Sequence, residues 1–172
     1  ELKKLHIYAD ENQSQTIPAM KEVFDLLRER MKSGLRLNIE LKNSVLSYAG
    51  MEEKIVELVR QYGFQKSIVY SSFHALSLEK LREIDEQAET GILDTKISDC
   101  LYKARGGCGA QALHPYWQGM DLPVEKLQGY PIRAWFAGHL YPEKPTGTKL
   151  DLEELESRGI TDVFLNEPER YL

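Results

Sequence analysis

The sequence predicts an α/β fold in which helices cover a parallel sheet. Short β-rich runs alternate with helical stretches along the whole chain, and this alternation is typical of parallel sheets. The 172 residues, 42% of them hydrophobic, are enough for one domain with a sizeable core. Alternation alone fits both an open doubly wound sheet and a closed barrel. Glycine-rich nucleotide-binding motifs are absent from the sequence, which disfavours the nucleotide-binding open sheets.

Six short segments are candidates for strands, and apolar residues recur at helical spacing between them. The predicted strands cover residues 35–42, 67–72, 91–93, 110–113, 132–136 and 161–165. The segments 91–93 and 110–113 compete for one position in the sheet. A first helix is expected after Pro18, a second ends at Gly63, and Ser77 is a candidate cap for a third. Further helices are expected over 97–104 and 123–129.

The last predicted helix has the clearest start and end signals. Asp151 and Glu154 have the spacing of a capping box, and Leu150 and Leu155 occupy the hydrophobic staple positions around it. Gly159 then provides a residue suited to the left-handed conformation that commonly ends a helix. We therefore expect a short helix between Asp151 and Gly159, followed by the final strand.

The predicted strand 35–42 carries an unusual set of polar residues. Side chains alternate between the two faces of a strand, so the apolar residues share one face and the polar residues the other: Leu37, Ile39 and Leu41 against Asn38, Glu40 and Lys42. Glu40 and Lys42 lie about 6.5–7 Å apart along such a strand, a spacing at which a carboxylate could hold a divalent cation while the ammonium reaches a bound phosphate. An edge strand with one solvated face is the alternative.

Composition narrows the class of partner. The net charge is −5 without a basic block, which argues against nucleic acid. No apolar run approaches the roughly 18 residues of a membrane span. Cys100 and Cys108 do not form a disulfide or metal-binding pattern, which favours a cytoplasmic location and leaves secretion open. The first residues lack both an initiator methionine and a signal peptide, so we expect them to lie inside a longer protein.

Five segments together resemble the motifs of glycerophosphodiester phosphodiesterases, in the order and spacing of that family. Residues 38–42 resemble its fourth-strand motif N-I-E-x-K, and residues 17–23 its helix start I-P-T-L-x-E-V. Residues 69–74, 134–136 and 159–168 resemble the S-S-F strand end, the V-W-T-V-N strand and the closing G-V-D-G-I-I-T-D-x-P segment. Each match alone is weak, whereas the ordered set is fairly specific.

The resemblance implies a (β/α)8 TIM-type barrel and metal-dependent hydrolysis of a small-molecule glycerophosphodiester to an alcohol and glycerol 3-phosphate. By correspondence with the family motifs, Glu40 is a ligand of Mg²⁺ or Ca²⁺, and Lys42 is the catalytic candidate that contacts the phosphate. Phe73 and Trp135 line the substrate pocket, and His74, which follows the strand-end motif, is a further candidate for substrate binding. Barrel enzymes place such residues at the carboxyl ends of their strands.

Several family motifs are absent from the sequence. The family's first motif H-R-G, its second-strand E-x-D metal pair and its third-strand H-D motif are absent from their places in the sequence. In the family the histidines of H-R-G and H-D do the acid–base work. A barrel of this type needs about 250 residues, so roughly 78 are missing. We therefore expect residues 1–172 to form a single domain with about the last five β/α units of the barrel, and a homo-oligomer could cover its open side. Phe136, Gly138 and Asn166-Glu167 also depart from the family pattern.

None of the four histidines is expected to replace the absent pair. His6 is predicted to lie on the surface, and His114 and His139 are weaker pocket candidates than His74. Trp117 is expected to be a packing residue or a lid contact. Three interpretations remain: a phosphodiesterase present as part of its barrel, a non-catalytic descendant that kept the barrel for binding or assembly, and an unrelated phosphate-binding β/α protein.

Overall fold

A computed structural model describes residues 2–10, 13–127, 129–136 and 150–165 of the chain. Its strands are β1 His6–Asp10, β2 Gln13–Thr16, β3 Leu37–Glu40, β4 Ile68–Ser72, β5 Glu89–Asp94, β6 Ala112–Pro115, β7 Arg133–Trp135 and β8 Asp162–Phe164. Its α-helices are α1 Met20–Lys32, α2 Met51–Tyr62, α3 Ala75–Ile84, α4 Ile97–Lys103 and α5 Leu152–Ser157. Three 3-10 turns (Leu2–Lys4, Gln65–Ser67 and Val124–Lys126) and one π-helical segment (Ala104–Cys108) complete the regular structure.

Strands β3 to β8 form one series of parallel strands in chain order. β3, β4, β5 and β6 make a four-stranded parallel sheet, and β7 pairs parallel with β8. Two parallel bridges, Leu113 to Ile132 and Tyr116 to Trp135, join β6 to the β7 region. All the carboxyl ends of these strands therefore lie at one edge of the series.

Both segments that compete for one position in the sequence-based prediction are strands. They extend to Glu89–Asp94 and Ala112–Pro115 and pair directly with each other, with Gly91 opposite Ala112 and Leu93 opposite His114. The described residues thus contain six parallel strands, one more than the five β/α units expected. The expectation of competition was wrong, because the two segments occupy adjacent positions in the sheet.

The third helix also begins earlier than predicted. α3 starts at Ala75 with His74 as its N-cap residue, so Ser77 lies inside the first turn and does not cap it. Its hydroxyl instead contacts other side chains. The β1–β2 hairpin, which is antiparallel, was not predicted because neither of its short strands, H-I-Y-A-D and Q-S-Q-T, has an alternating apolar pattern.

The core lies between the six-stranded series and the helices. It contains fully buried side chains from every layer: Phe24, Val56, Leu78, Leu81, Ile92, Ile97, Leu113 and Ile132. Phe24 of α1 packs edge-on against Tyr62 and Phe64, with ring centroids 5.2 and 5.5 Å away. Ile39 and Leu41 are buried in this core. The apolar face predicted for the first strand therefore packs against the helices, and its polar face points the other way.

The predicted N-cap and the glycine end of the last helix are confirmed. The Asp151 carboxylate accepts a hydrogen bond from the backbone N–H of Glu154 at 3.0 Å, as an N-cap residue does. Leu155 is buried, and Gly159 adopts a φ of 84° just beyond the helix. None of the helices in the described ranges is both long enough and apolar enough to cross a membrane.

Candidate active site

Glu40 and Lys42 meet at the carboxyl edge of β3. The Lys42 Nζ donates to the Glu40 carboxylate Oε1 at 2.7 Å. The two side chains therefore lie on the same side of the strand, opposite the buried Ile39 and Leu41. The Lys42 side chain is 79% exposed and that of Glu40 is 31% exposed. The ammonium is thus open to solvent on the side where a ligand could approach.

An aromatic pair stands at the same edge, on the strand ends of β4 and β7. The rings of Phe73 and Trp135 contact each other edge-to-face, with centroids 6.0 Å apart. Tyr116, just after β6, also packs against Trp135, with ring centroids 4.9 Å apart. The Trp135 Nε1–H donates to the backbone carbonyl of Asp94 at 3.2 Å, which fixes the indole at the end of β5. The structure therefore brings together the two aromatic residues that the motif matches single out.

Asp94 and Lys103 hold this aromatic pair in place. Neither residue was predicted from the sequence to belong to the site. The Lys103 Nζ lies 2.7 Å from the Asp94 carboxylate and also donates to the carbonyl of Phe73 at 3.3 Å. One ammonium thus links the end of β5 to the end of β4. Asp94 ends a strand, which is the local signal that could have marked it.

His74 follows Phe73 and is half-buried. Its Nδ1 lies 3.1 Å from the Ser77 hydroxyl, and its backbone N–H donates to the Ser72 hydroxyl at 3.0 Å. Ser72 in turn donates to the carbonyl of Leu41, the residue between Glu40 and Lys42. The Ser72 hydroxyl therefore connects the His74 backbone to the segment that carries the ion pair.

His114 lies on the inner face of the sheet. Its neighbour in the strand, the buried Leu113, faces the other way. The His114 side chain is fully buried above Gly91 of β5 and packs against Phe164 of β8, with ring centroids 5.2 Å apart. Burial lowers the pKa of His114 to about 3, and the positive charge of Arg133 acts in the same direction. Within the described part of the chain neither ring nitrogen has a hydrogen-bond partner. A neutral, buried imidazole of this kind is a packing element of the inner face.

Ion pairs link the strands to one another at the opposite, amino-terminal edge. The Glu89 carboxylate at the start of β5 pairs with Arg36 ahead of β3 and, at 2.6 Å, with Arg133 of β7. Arg133 also approaches the Asp162 carboxylate at the start of β8 at 3.7 Å. These pairs hold the beginnings of four strands together on the side away from Glu40 and Lys42.

The remaining predicted residues have simpler surroundings. Trp117 stacks on Phe136, with centroids 5.3 Å apart and planes 21° from parallel, in agreement with a packing role. His6 is exposed, as predicted, and its Nδ1 contacts the Ser14 hydroxyl at 2.7 Å. Gly138, His139 and Asn166-Glu167, for which the sequence also made predictions, lie outside the described residues.

The described ranges do not contain a complete set of ligands for a divalent cation. No group of three or more His, Cys, Asp or Glu side chains there could hold a metal ion. Glu40 offers one carboxylate, whereas Mg²⁺ and Ca²⁺ take about six oxygen ligands or more. The described residues alone therefore do not fit a tightly held cation.

Comparison with known proteins identifies relatives along the whole chain, although no protein-family model matches it. The chain is 25% identical over 177 residues to a glycerophosphodiester phosphodiesterase of Caldanaerobacter subterraneus subsp. tengcongensis, covering 98% of this chain and 67% of the relative. It is 35% identical over 123 residues to a glycerophosphodiester phosphodiesterase of Bacillus altitudinis, covering 70% of this chain and 48% of the relative. The chain thus spans about two thirds of the first relative and about half of the second.

Solved structures share the fold of this chain. A crystal structure of a candidate glycerophosphodiester phosphodiesterase from Galdieria sulphuraria superposes with a TM-score of 0.76 and 22% identity, covering 98% of this chain and 66% of the other. The parallel strands β3 to β8, with their outer helices, are therefore an incomplete TIM-type β/α barrel, and the carboxyl edge with Glu40, Phe73 and Trp135 is the edge where such barrels carry their active sites.

Proposed function

We propose that this chain, a relative of the glycerophosphodiester phosphodiesterases, forms the part of a phosphodiesterase barrel that binds the phosphate and glycerol groups of a glycerophosphodiester. The reaction is metal-dependent hydrolysis to an alcohol and glycerol 3-phosphate. The observation that carries the proposal is the pairing of Glu40 with Lys42, beside Phe73 and Trp135, at the carboxyl edge of parallel strands. A cation, a phosphate and an apolar portion of a substrate each have a chemically suited partner there.

Lys42 is the residue we assign to the phosphate. Its ammonium is a compact positive charge, and only one carboxylate oxygen of Glu40 holds it in the absence of ligand. The Lys42 ammonium has three N–H groups. A second N–H could therefore donate a hydrogen bond to a phosphate oxygen while the ion pair with Glu40 stays intact. His74 at the end of β4 is the candidate contact to the rest of the substrate, and the faces of Phe73 and Trp135 could pack against its carbon atoms.

Glu40 is the residue we assign to a bound Mg²⁺ or Ca²⁺. The Lys42 ammonium donates to Oε1, so the second carboxylate oxygen could bind a cation. The other ligands must come from outside the described residues. A bound cation would supply Lewis-acid stabilisation of the phosphoryl oxygens. What this chain itself contributes is binding and orientation of the phosphodiester.

Proton transfer to the leaving alkoxide and from the attacking water contributes typically about 10²–10⁴-fold to each step. The family motifs that hold the acid–base histidines do not occur in these 172 residues. We therefore expect the chain alone to bind glycerol 3-phosphate but not to hydrolyse glycerophosphocholine at an enzymatic rate. Turnover by the chain with Mg²⁺ or Ca²⁺, abolished by Glu40→Ala, would show that its site is complete and would overturn this division of roles.

Calorimetric titration with glycerol 3-phosphate tests the assignment of Lys42. Lys42→Met should raise the Kd about 2–13-fold, because an exposed ion pair with phosphate contributes only about 0.5–1.5 kcal/mol after solvent screening. Lys66→Met is the matched control, since Lys66 lies just before β4, at the amino-terminal edge. Equal effects of the two substitutions would show that Lys42 acts only through the overall charge.

A non-catalytic role in binding or assembly is the second candidate. The observation that favours it is the lack of a metal-binding group among the described residues. In that case a homo-oligomer could cover the free edge of β3, because unpaired strand edges tend to associate. Light scattering after size-exclusion chromatography would show a dimer or larger assembly, and Glu40→Ala would leave that assembly unchanged.

A further inference from the structure

A buried polar cluster lies directly behind the rim residues Lys42 and His74. It consists of Asn43, Glu52 and Ser77, whose exposed fractions are 7%, 5% and 2%. Asn43 follows Lys42 in the chain, and Ser77 lies three residues after His74. The binding roles assigned above use none of these three side chains. Buried polar groups in folded proteins rarely lack hydrogen-bond partners, so the hydrogen bonds of this cluster show what it holds in place.

The Asn43 amide occupies one side of the Ser77 hydroxyl. Its Nδ2 donates to the Glu52 Oε1 at 3.0 Å and to the Ser77 Oγ at 2.5 Å, which uses both of its N–H groups. The Ser77 oxygen thus accepts one hydrogen bond and still has its own proton to donate. The Lys80 ammonium lies 3.5 Å from the second oxygen of Glu52, Oε2. Both oxygens of the carboxylate therefore have a donor other than Ser77.

The His74 ring is the acceptor that remains for the Ser77 proton. Its Nδ1 lies 3.1 Å from the Ser77 Oγ. In the described part of the chain, no other acceptor stands in hydrogen-bonding geometry to this hydroxyl. A nitrogen that accepts a hydrogen bond must offer its lone pair. A neutral imidazole that accepts at Nδ1 therefore carries its hydrogen on Nε2.

A second pair of hydrogen bonds keeps His74 beside Lys42. The His74 backbone N–H donates to the Ser72 hydroxyl at 3.0 Å, and this hydroxyl donates to the Leu41 carbonyl at 2.9 Å. Leu41 and Asn43, the two neighbours of Lys42 in the chain, are thus each connected to His74 through one serine. An N–H donor and an exposed ammonium in the same place suit an anionic acceptor. A charged phosphate oxygen accepts more strongly than a hydroxyl does.

We propose that Asn43 and Ser77 are positioning residues that hold neutral His74 with its hydrogen on Nε2, and that this N–H is a second donor to the phosphate group beside Lys42. The ring is half-buried, and the described residues provide no partner for Nε2. His74 then contacts the phosphate group itself, rather than the rest of the substrate as first assigned. The identity of the ligand rests on the proposed function, whereas the tautomer does not.

Two-bond ¹H–¹⁵N spectra of the chain labelled with ¹⁵N-histidine test the tautomer without any ligand. We expect neutral His74 to carry its hydrogen on Nε2. Ser77→Ala should shift the Nδ1 resonance, because it removes the hydrogen bond to that nitrogen. Ser67→Ala is the matched control, since Ser67 lies just before β4, at the amino-terminal edge, and should leave the resonance unchanged. A hydrogen on Nδ1 in the unsubstituted chain would mean that Ser77 donates to Glu52 instead, and would overturn the proposal without depending on any variant being folded.

Calorimetric titrations with inorganic phosphate and with glycerol 3-phosphate test the contact to the phosphate group. His74→Phe keeps a flat ring and removes the donor, so the Kd of both ligands should rise about 2–13-fold, the effect of one lost hydrogen bond. Ser77→Ala should raise both Kd values by a smaller factor. That effect should disappear in the His74→Phe background, because Ser77 acts on the ligand only through the ring.

Two outcomes of these titrations would contradict the proposal. Weakening of glycerol 3-phosphate alone would place the His74 ring on the glycerol group. An undiminished effect of Ser77→Ala in the His74→Phe background would show that Ser77 acts on the fold and not on the ring. If the unsubstituted chain bound neither ligand, the proposed function would fail together with the phosphate contact, and the tautomer measurement would still decide whether Ser77 orients His74.

Discussion

Substitution of Gly91 by alanine should destabilise the inner face of the sheet strongly. A Cβ atom at Gly91 would lie 2.1 Å from the His114 Nε2 and 2.3 Å from its Cε1, over 1 Å closer than ordinary van der Waals contact. The imidazole is fully buried and packs against Phe164, so it has no free space into which to move. Overpacking of this kind costs about 1–3 kcal/mol. We expect the upper end, because the displaced atoms belong to a rigid ring.

The measurement is the free energy of unfolding, from urea titration followed by circular dichroism. For a domain of this size about 3 kcal/mol lowers the Tm by roughly 6–12 °C. Gly106→Ala is the matched control, because a Cβ there meets no atom within 4 Å and alanine in a helical segment should add roughly 0.5–1 kcal/mol of stability. His114→Ala in the Gly91→Ala background should recover part of the loss, with a coupling of about 1–3 kcal/mol. A Gly91→Ala chain as stable as the original would refute the reasoning.

Three further outcomes follow from the described contacts. Asp151→Ala should cost about 1 kcal/mol by removing the N-cap of α5, whereas Asp151→Ser should cost little, as thermal unfolding would show; equal losses would exclude a capping role. Burial raises the pKa of the Cys100 thiol to about 12, so a thiol reagent at pH 8 should label it only after urea unfolds the chain, and rapid labelling of the folded chain would contradict its burial. His114 binds a proton near pH 6.5 when unfolded but only near pH 3 when folded, so stability should fall as the pH drops through this window, with a slope approaching about 1.4 kcal/mol per pH unit. His114→Gln should flatten that slope in urea titrations, and an unchanged slope would assign the pH dependence to other groups.

The sequence predicted the residues at the carboxyl edge well, because strand alternation is a local rule. Leu37, Ile39 and Leu41 on one face required Glu40 and Lys42 to share the other, and the ion pair between them agrees with that requirement. The roles assigned to these residues came from the family resemblance and stay predictions. The N-cap at Asp151 could also be predicted from the sequence, since its hydrogen-bond partner Glu154 is only three residues away.

The contacts that the sequence did not predict join residues whose separation follows no local period. Lys103 reaches Asp94 and the Phe73 carbonyl because α4 packs across two strand ends, which is a property of tertiary packing. The contact between His114 and Gly91 depends on the register that places Leu93 opposite His114. Ser77 looked like a helix cap because serine is common there, and only the fold shows that its hydroxyl contacts the side chains of Asn43 and His74.

The chain-order pairing of the strands has a consequence for how the protein is made. Each strand from β3 to β7 pairs with the strand that follows it in the chain, so no unit in this series has to wait for a distant partner. A nascent chain that has emerged through β4 already contains a complete β3–α2–β4 unit, and each later helix and strand can dock onto a finished edge. Pairing between sequence neighbours keeps the loops that must close short. The low sequence separation of its strand contacts therefore favours rapid folding of this part of the barrel.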